Sequence, residues 1–517
     1  MLRSTLSALM LAGLLIASLQ KACGAPPVLD APTLSARIDQ YIDERLEKEK
    51  VPPAPLTDDA EFFRRLSLDL NGRIPSLAQL ADFLDDTRAD KRRQWIDELM
   101  DGSDNASLYV QHFAHFWRRQ LLAQTPPQSD SVVAPLEGWL RKQVKANTPY
   151  DRLARGLLTD PEAVGFFLAN ENKAENLASR TSRLLLGVKL ECAQCHNDRS
   201  GGKWTQTQFW EYAAFFAGLR QDRSYFNVTT PRRQKAGPAR IRVAETNRWV
   251  EPRFPDGREP SWQEAITPRQ ALAEWITRRD NPWFARAAVN RLWHYFFGIG
   301  LIDPVDGLGV EDNQPSHPEL LDELVRQFIA HDFDLKYLIR AITLSRTYQR
   351  SSKQTHPRQA EPRLFARAAT RALAAEQLYD SMVLATGYRP APTSAAAGRP
   401  ADSSPRIEFL TPFDDPDSQP ADFQASVQQV LMMMNGKFIE EVTRSSRSTT
   451  VAAIINGQKA GPLAKRIEDL YLVTLSRKPR PDEAKRLLAY AGTHENKQAL
   501  RDIFWSLLNS TEFILNH

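Results

Sequence analysis

The sequence predicts an all-α protein, two helical domains joined by an irregular segment, and three observations carry that prediction. Apolar residues recur at helical spacing, as over residues 35–50, where Ile38, Tyr41, Ile42 and Leu46 share one face. Helix-start signals recur as well, with Ser76 three residues before Gln79 and Thr205 three before Gln208. β-like runs are short, as at residues 241–243. The chain has 517 residues, 42% hydrophobic and 25% charged, so it is a soluble globular type too long for one ordinary domain.

Taken in order, a helix is expected over 58–70, stopped by Asn71-Gly72. Residues 105–122 form another, with an aromatic stripe of Tyr109, Phe113, Phe116 and Trp117 that suits core packing. Residues 173–188 read as a helix leading into a cysteine pair, and Thr205 opens one running to Ala217. Residues 221–265 are rich in Arg, Pro and Thr and read as a linker or small irregular insertion. Helices resume at Pro268; Ser316 with Glu319 and Pro318 marks a start, and Asp334 begins a helix to about Arg350. Residues 389–420 read as a flexible segment, Pro-, Ala- and Ser-rich at its start, and the last hundred residues as helix–turn–helix. The domains are expected at 34–220 and 266–517.

Residues 1–25 have the layout of a secretory signal peptide: Arg3, an apolar run from Leu6 to Leu19, then small residues. The alternative is an uncleaved N-terminal anchor. Cys23 suggests lipidation, against which Gln20 and Lys21 stand where small or apolar residues are wanted. The protein is therefore expected to be exported, to a periplasm or cell surface, with no later span. A net charge of +4 from 67 basic and 63 acidic residues gives no case for nucleic acid.

Three cysteines are present, so there is no disulfide framework. The two beyond the leader form Cys192-Ala193-Gln194-Cys195-His196, the spacing of c-type haem attachment. Two thiols one turn apart can each add to a haem vinyl group, and the next His falls under the iron as proximal ligand. Chance yields this pattern in about 3 of 10,000 chains of such composition. The rival readings are a Cys192–Cys195 disulfide or redox pair, half of a zinc site, and an inert coincidence. The residues leave the sixth ligand open among Met382, Met432, Met433, Met434, His112, His115, His294 and His317, or an empty position. Met432–Met434 suit core packing, as do His112 and His115 beside Phe113 and Phe116. Asp303, Asp306, Glu311 and Asp312 cluster in one loop that can be read as a Ca²⁺ site or as a solvated loop; their spacing fits no EF-hand. No phosphate loop, Gly-x-Ser-x-Gly elbow or His-Glu-x-x-His helix is found.

The run Arg64-Arg65-Leu66-Ser67-Leu68-Asp69-Leu70-Asn71-Gly72-Arg73-Ile74-Pro75 resembles the opening of the planctomycete cytochrome-like domain DUF1549 (PSCyt2). Residues 186–196, Lys203-Trp204-Thr205-Gln206 and 213–218 resemble that domain's signature. Residues 281–294, 315–321, 345–348 and 508–513 are similar to its usual partner, DUF1553 (PSD1). The resemblance implies an exported bacterial protein and no established activity. The family's His-Asp-His-Pro reads His196-Asn197-Asp198-Arg199 here, so the second His is missing. The combined expectation is a c-type cytochrome-like protein carrying haem c at Cys192, Cys195 and His196. It would transfer single electrons, or present haem to a partner oxidoreductase, with Trp204, Phe209 and Trp210 around the site. The alternative is a non-haem scaffold that binds glycans or a cell-surface component. The redox partner is unspecified.

Overall fold

Short polar caps set where the helices begin. Asp58 accepts from the Glu61 amide at 2.9 Å and opens Asp59–Asn71, and Gly72, at φ 70°, closes that helix in the left-handed region. Ser76 with Gln79, Thr205 with Gln208 and Thr267 with Gln270 each form a reciprocal capping box. The computed structural model describes residues 27–102, 106–122, 130–197, 204–219, 235–262, 266–310, 312–389, 405–410, 436–444, 448–457 and 461–517. The expected leader with Cys23, most of the 389–420 segment, Met432–Met434 and Glu311 lie outside them.

The fold is all-α. The only strands among the described residues are two antiparallel pairs of two residues each, Ile241–Arg242 with Trp249–Val250 and Arg371–Ala372 with Leu515–Asn516. Residues 31–517 form one compact unit. Its helices cross between the halves of the sequence. Ala31–Glu49 buries Leu34, Ile38, Ile42 and Leu46 against Leu335–Leu344 and Pro318–Ala330. Phe284–Phe297 is apolar on nearly every face, as a helix in the middle of a core must be, and packs on Pro318–Ala330. A second core gathers Leu378, Met382, Ile467, Leu470, Leu500 and Phe504 from the C-terminal helices, and Leu68 and Ile74 join it from the first half. No described helix is long and apolar enough to cross a membrane.

Three expectations need correction. The helix placed at Ser316 is Pro318–Ala330, with His317 at its cap; Ser316 Oγ bonds His317 Nδ1 at 3.1 Å instead of capping. The helix from Asp334 ends at Leu344, because Ser345 turns extended and folds its hydroxyl back to the Ile342 carbonyl. The helix over 173–188 is Ala174–Thr181 followed by a wider π turn, Ser182–Leu186.

The motif at Arg64–Pro75 is structural. Arg64 is wholly buried and donates to the carbonyls of Thr474 (2.9 Å) and Phe513 (3.0 Å). Arg65 reaches the carbonyls of Tyr348, Arg350 and His517. Asp69 receives both arms of the contact from Arg371 Nη2 (2.9 Å to each oxygen), Tyr348 Oη (2.8 Å) and Asn516 Nδ2 (2.8 Å). Tyr295 donates to the Asp69 carbonyl at 2.8 Å and pairs with His112 Nε2 at 2.6 Å. One helix is thereby tied to distant chain at Tyr295, Tyr348, Arg371, Thr474 and Phe513.

Candidate functional site

The Cys-x-x-Cys-His segment is delivered by the helix that precedes it. Gly187, at φ 65°, ends the π turn, its amide reaching the Arg183 carbonyl at 3.2 Å. The positive φ favours glycine, and a Cβ there would come within 2.9 Å of Leu308 Cδ1, which would have to give way. Val188 then bridges to Gly307, and Leu308 donates to the Gly187 carbonyl at 3.0 Å. Buried Leu190 and Ala193 anchor the short turn Glu191–Ala193. Cys192, Cys195 and His196 point outward: all three are exposed, and both thiols are free.

The Gln206–Ala213 helix holds the turn from behind. Trp210 Nε1 donates to the Gln194 carbonyl at 3.0 Å, and Gln206 Nε2 to the Cys195 carbonyl at 3.1 Å. The Gln206 amide donates to Asn197 Oδ1 at 3.0 Å. His196 Nδ1 lies 2.8 Å from the Asn197 carbonyl. A carbonyl only accepts, so Nδ1 donates to it, and Nε2 is the nitrogen left to bind a metal. Of the expected aromatic surroundings, Trp210 and Phe209 are buried behind the turn, and Trp204 is half-buried, its ring 6.5 Å from that of Trp283.

Charged groups lie beside the turn. Arg183 is paired with Glu191, the residue before Cys192, and its Nε lies 3.7 Å from Asp306. Arg291 binds the same Asp306 at 2.5 Å and donates to the Arg183 carbonyl and to Gln120, each at 3.0 Å. Asp306 of the acidic loop is thus buried and spent on arginines. Among the described residues no three His, Cys, Asp or Glu side chains gather as ligands for a metal ion. Sequence reasoning missed Arg180, Arg183 and Arg291; the visible signal was two arginines three apart on the helix entering the motif.

The described candidates for a sixth ligand are occupied elsewhere. His112 pairs with Tyr295, and burial, with His115 adding to it, pulls it down to about 3. His115 contacts Glu137 at 3.0 Å. His317 is buried against Phe365 and pulled down to about 4, by burial first and then by Arg45 and Arg363. Met382 is fully buried in the C-terminal core. His294 sits on the Phe284–Phe297 helix.

Fold and site together define an all-helical protein that presents an open Cys-x-x-Cys-His turn. Residues 37–221 match the family PSCyt2, a protein of unknown function (DUF1549), and residues 268–491 match PSD1, a protein of unknown function (DUF1553). The chain belongs to the proteins that join these two domains. No curated protein and no solved structure matches it.

Proposed function

We propose that this is an exported c-type cytochrome-like protein, with haem joined by thioethers to Cys192 and Cys195 and its iron held by His196. The observation that carries the reading is the donor set at the turn. Two free thiols and one imidazole stand exposed within five residues, and the hydrogen bond at Nδ1 leaves Nε2 to bind iron. Neither thiol is consumed by a disulfide, and neither is walled in by the core. When bound, the haem would supply one-electron transfer, or be offered to a partner oxidoreductase. Trp210 and Gln206 hold the backbone of the turn from which the three side chains project. The leader read in residues 1–25 supports export, since c-type haem is attached outside the cytoplasm.

A second reading keeps the helical scaffold and makes Cys192 and Cys195 a redox dithiol; two free, exposed thiols on one turn favour it. One experiment separates the two. The mature chain is produced with a c-type maturation system and run on a denaturing gel stained for haem peroxidase activity, with a pyridine haemochrome spectrum. The haem reading expects a covalent coloured band that disappears in the Cys192→Ser, Cys195→Ser variant. A colourless protein whose two thiols remain alkylatable overturns it, and a mobility shift on reduction assigns the dithiol.

A further inference from the structure

The guanidinium of Arg180 is the unspent group beside the turn. It lies three residues before Arg183 on the helix that enters the motif, so the two share a face. That helix packs directly on the Glu191–Ala193 turn. Arg183 is committed to Glu191 and Asp306, and Arg291 to Asp306, Gln120 and the Arg183 carbonyl. Arg180 has no hydrogen-bonded partner among the described residues. Three guanidinium groups therefore stand against two carboxylates, leaving one positive charge uncompensated beside the Arg183–Glu191 pair that adjoins Cys192.

A half-buried guanidinium without a hydrogen-bonded acceptor leaves its five donors to water alone, open to an incoming ligand. Burial and then Arg183, with Asp306 opposing and Arg291 adding, pull it down to about 10, which still leaves it charged at neutral pH. An arriving carboxylate would relieve both the repulsion and the missing hydrogen bonds. Its planar fork suits a carboxylate in two-point contact.

We propose that Arg180, with Arg183 beside it, is an anion site for a carboxylate carried by the molecule that occupies the Cys192–His196 turn. Resting on the haem reading, that carboxylate is a propionate of the tethered porphyrin. The same chemistry would also take a free small carboxylic acid.

The test uses the unloaded, reduced full chain. It is titrated with zinc mesoporphyrin, which has two propionates and no vinyl groups to react, and with its dimethyl ester. Wild type is expected to hold the diacid about tenfold more tightly than the ester, the worth of one charge-assisted hydrogen bond. Arg180→Gln should remove most of that ratio and Arg180→Lys should keep part of it. Circular dichroism checks that both variants are folded. A ratio unchanged in Arg180→Gln overturns the proposal. Succinate competing against wild type but not against Arg180→Gln supports the site and assigns it to a free acid. If maturation attaches no haem while the Arg180-dependent ratio persists, the haem reading falls and the anion site stands.

Discussion

The cluster at Arg64, Arg65 and Asp69 and the turn at Cys192–His196 both gather ionisable side chains, and they differ in what those side chains touch. In the first, three buried charges are answered by distant carbonyls, a guanidinium, a phenol and an amide. In the second, the backbone is held by three hydrogen bonds while the thiols stand free and the imidazole, bonded at Nδ1, stands exposed. Buried polar groups answered by distant partners fix a fold, because losing any partner strands the other. Reactive groups left exposed on a fixed backbone remain available for chemistry.

The largest test of that contrast is Asp69→Ala set against Cys192→Ser with Cys195→Ser. Removing Asp69 leaves Arg371, 10% exposed, without its carboxylate, and strips Tyr348 and Asn516 of their acceptor. A cost of about 3–5 kcal/mol is expected in urea unfolding. The cysteine variant of the unloaded chain should stay within about 0.5 kcal/mol of wild type. Equal losses in the two variants would erase the distinction.

A smaller effect comes with acid. The folded state refuses protons at His112, held near about 3, and at His317, held near about 4, both by burial first. The unfolded chain accepts them near its ordinary pKa of about 6.5. Stability contributed by these groups is thus full above that pH and falls as pH drops toward the folded values. The loss is at most about 1.4 kcal/mol per pH unit per group. Glu376 adds to it at lower pH: against burial, which opposes them, Arg119 and Arg118 hold it near about 2, so its contribution is lost as pH falls below the usual carboxylate range. Urea midpoints measured from pH 8 to 4 should decline below 6.5. His112→Gln, which can still pair with Tyr295, should flatten that decline. An unchanged slope in the variant would remove His112 from the account.

Much of the fold was legible because its determinants are local. Ser76, Thr205 and Gly72 act within four residues of themselves and cap helices as expected, and Asp58, read as a first helical residue, caps the helix it was expected to begin. The stops at Leu344 and Leu186 were not legible. They depend on Ser345 folding back and on Gly187 turning left-handed where Leu308, more than a hundred residues away, donates to its carbonyl. At the site, the Cys-x-x-Cys-His spacing was plain, whereas its arginine neighbours were not. Asp306 read as part of a cation loop because four oxygens close in sequence look alike. Only the fold reveals that Arg291 and Arg183 had already claimed it.

The finest distinction between the two regions concerns Gln206. Its side chain is half-buried and touches only the carbonyls of Cys195 (3.1 Å) and Gln194 (3.4 Å). Gln206→Ala would delete both contacts without opening a core cavity, and the amide bond to Asn197 would remain. Global stability should change by about 1 kcal/mol or less, the net worth of an ordinary hydrogen bond. The freed turn samples more conformations, so iodoacetamide should alkylate Cys192 and Cys195 about fivefold faster, the kinetic equivalent of that same loosening. A loss of several kcal/mol would instead mean that the turn belongs to the core. Its resemblance to the Asp69 cluster would then outweigh the difference.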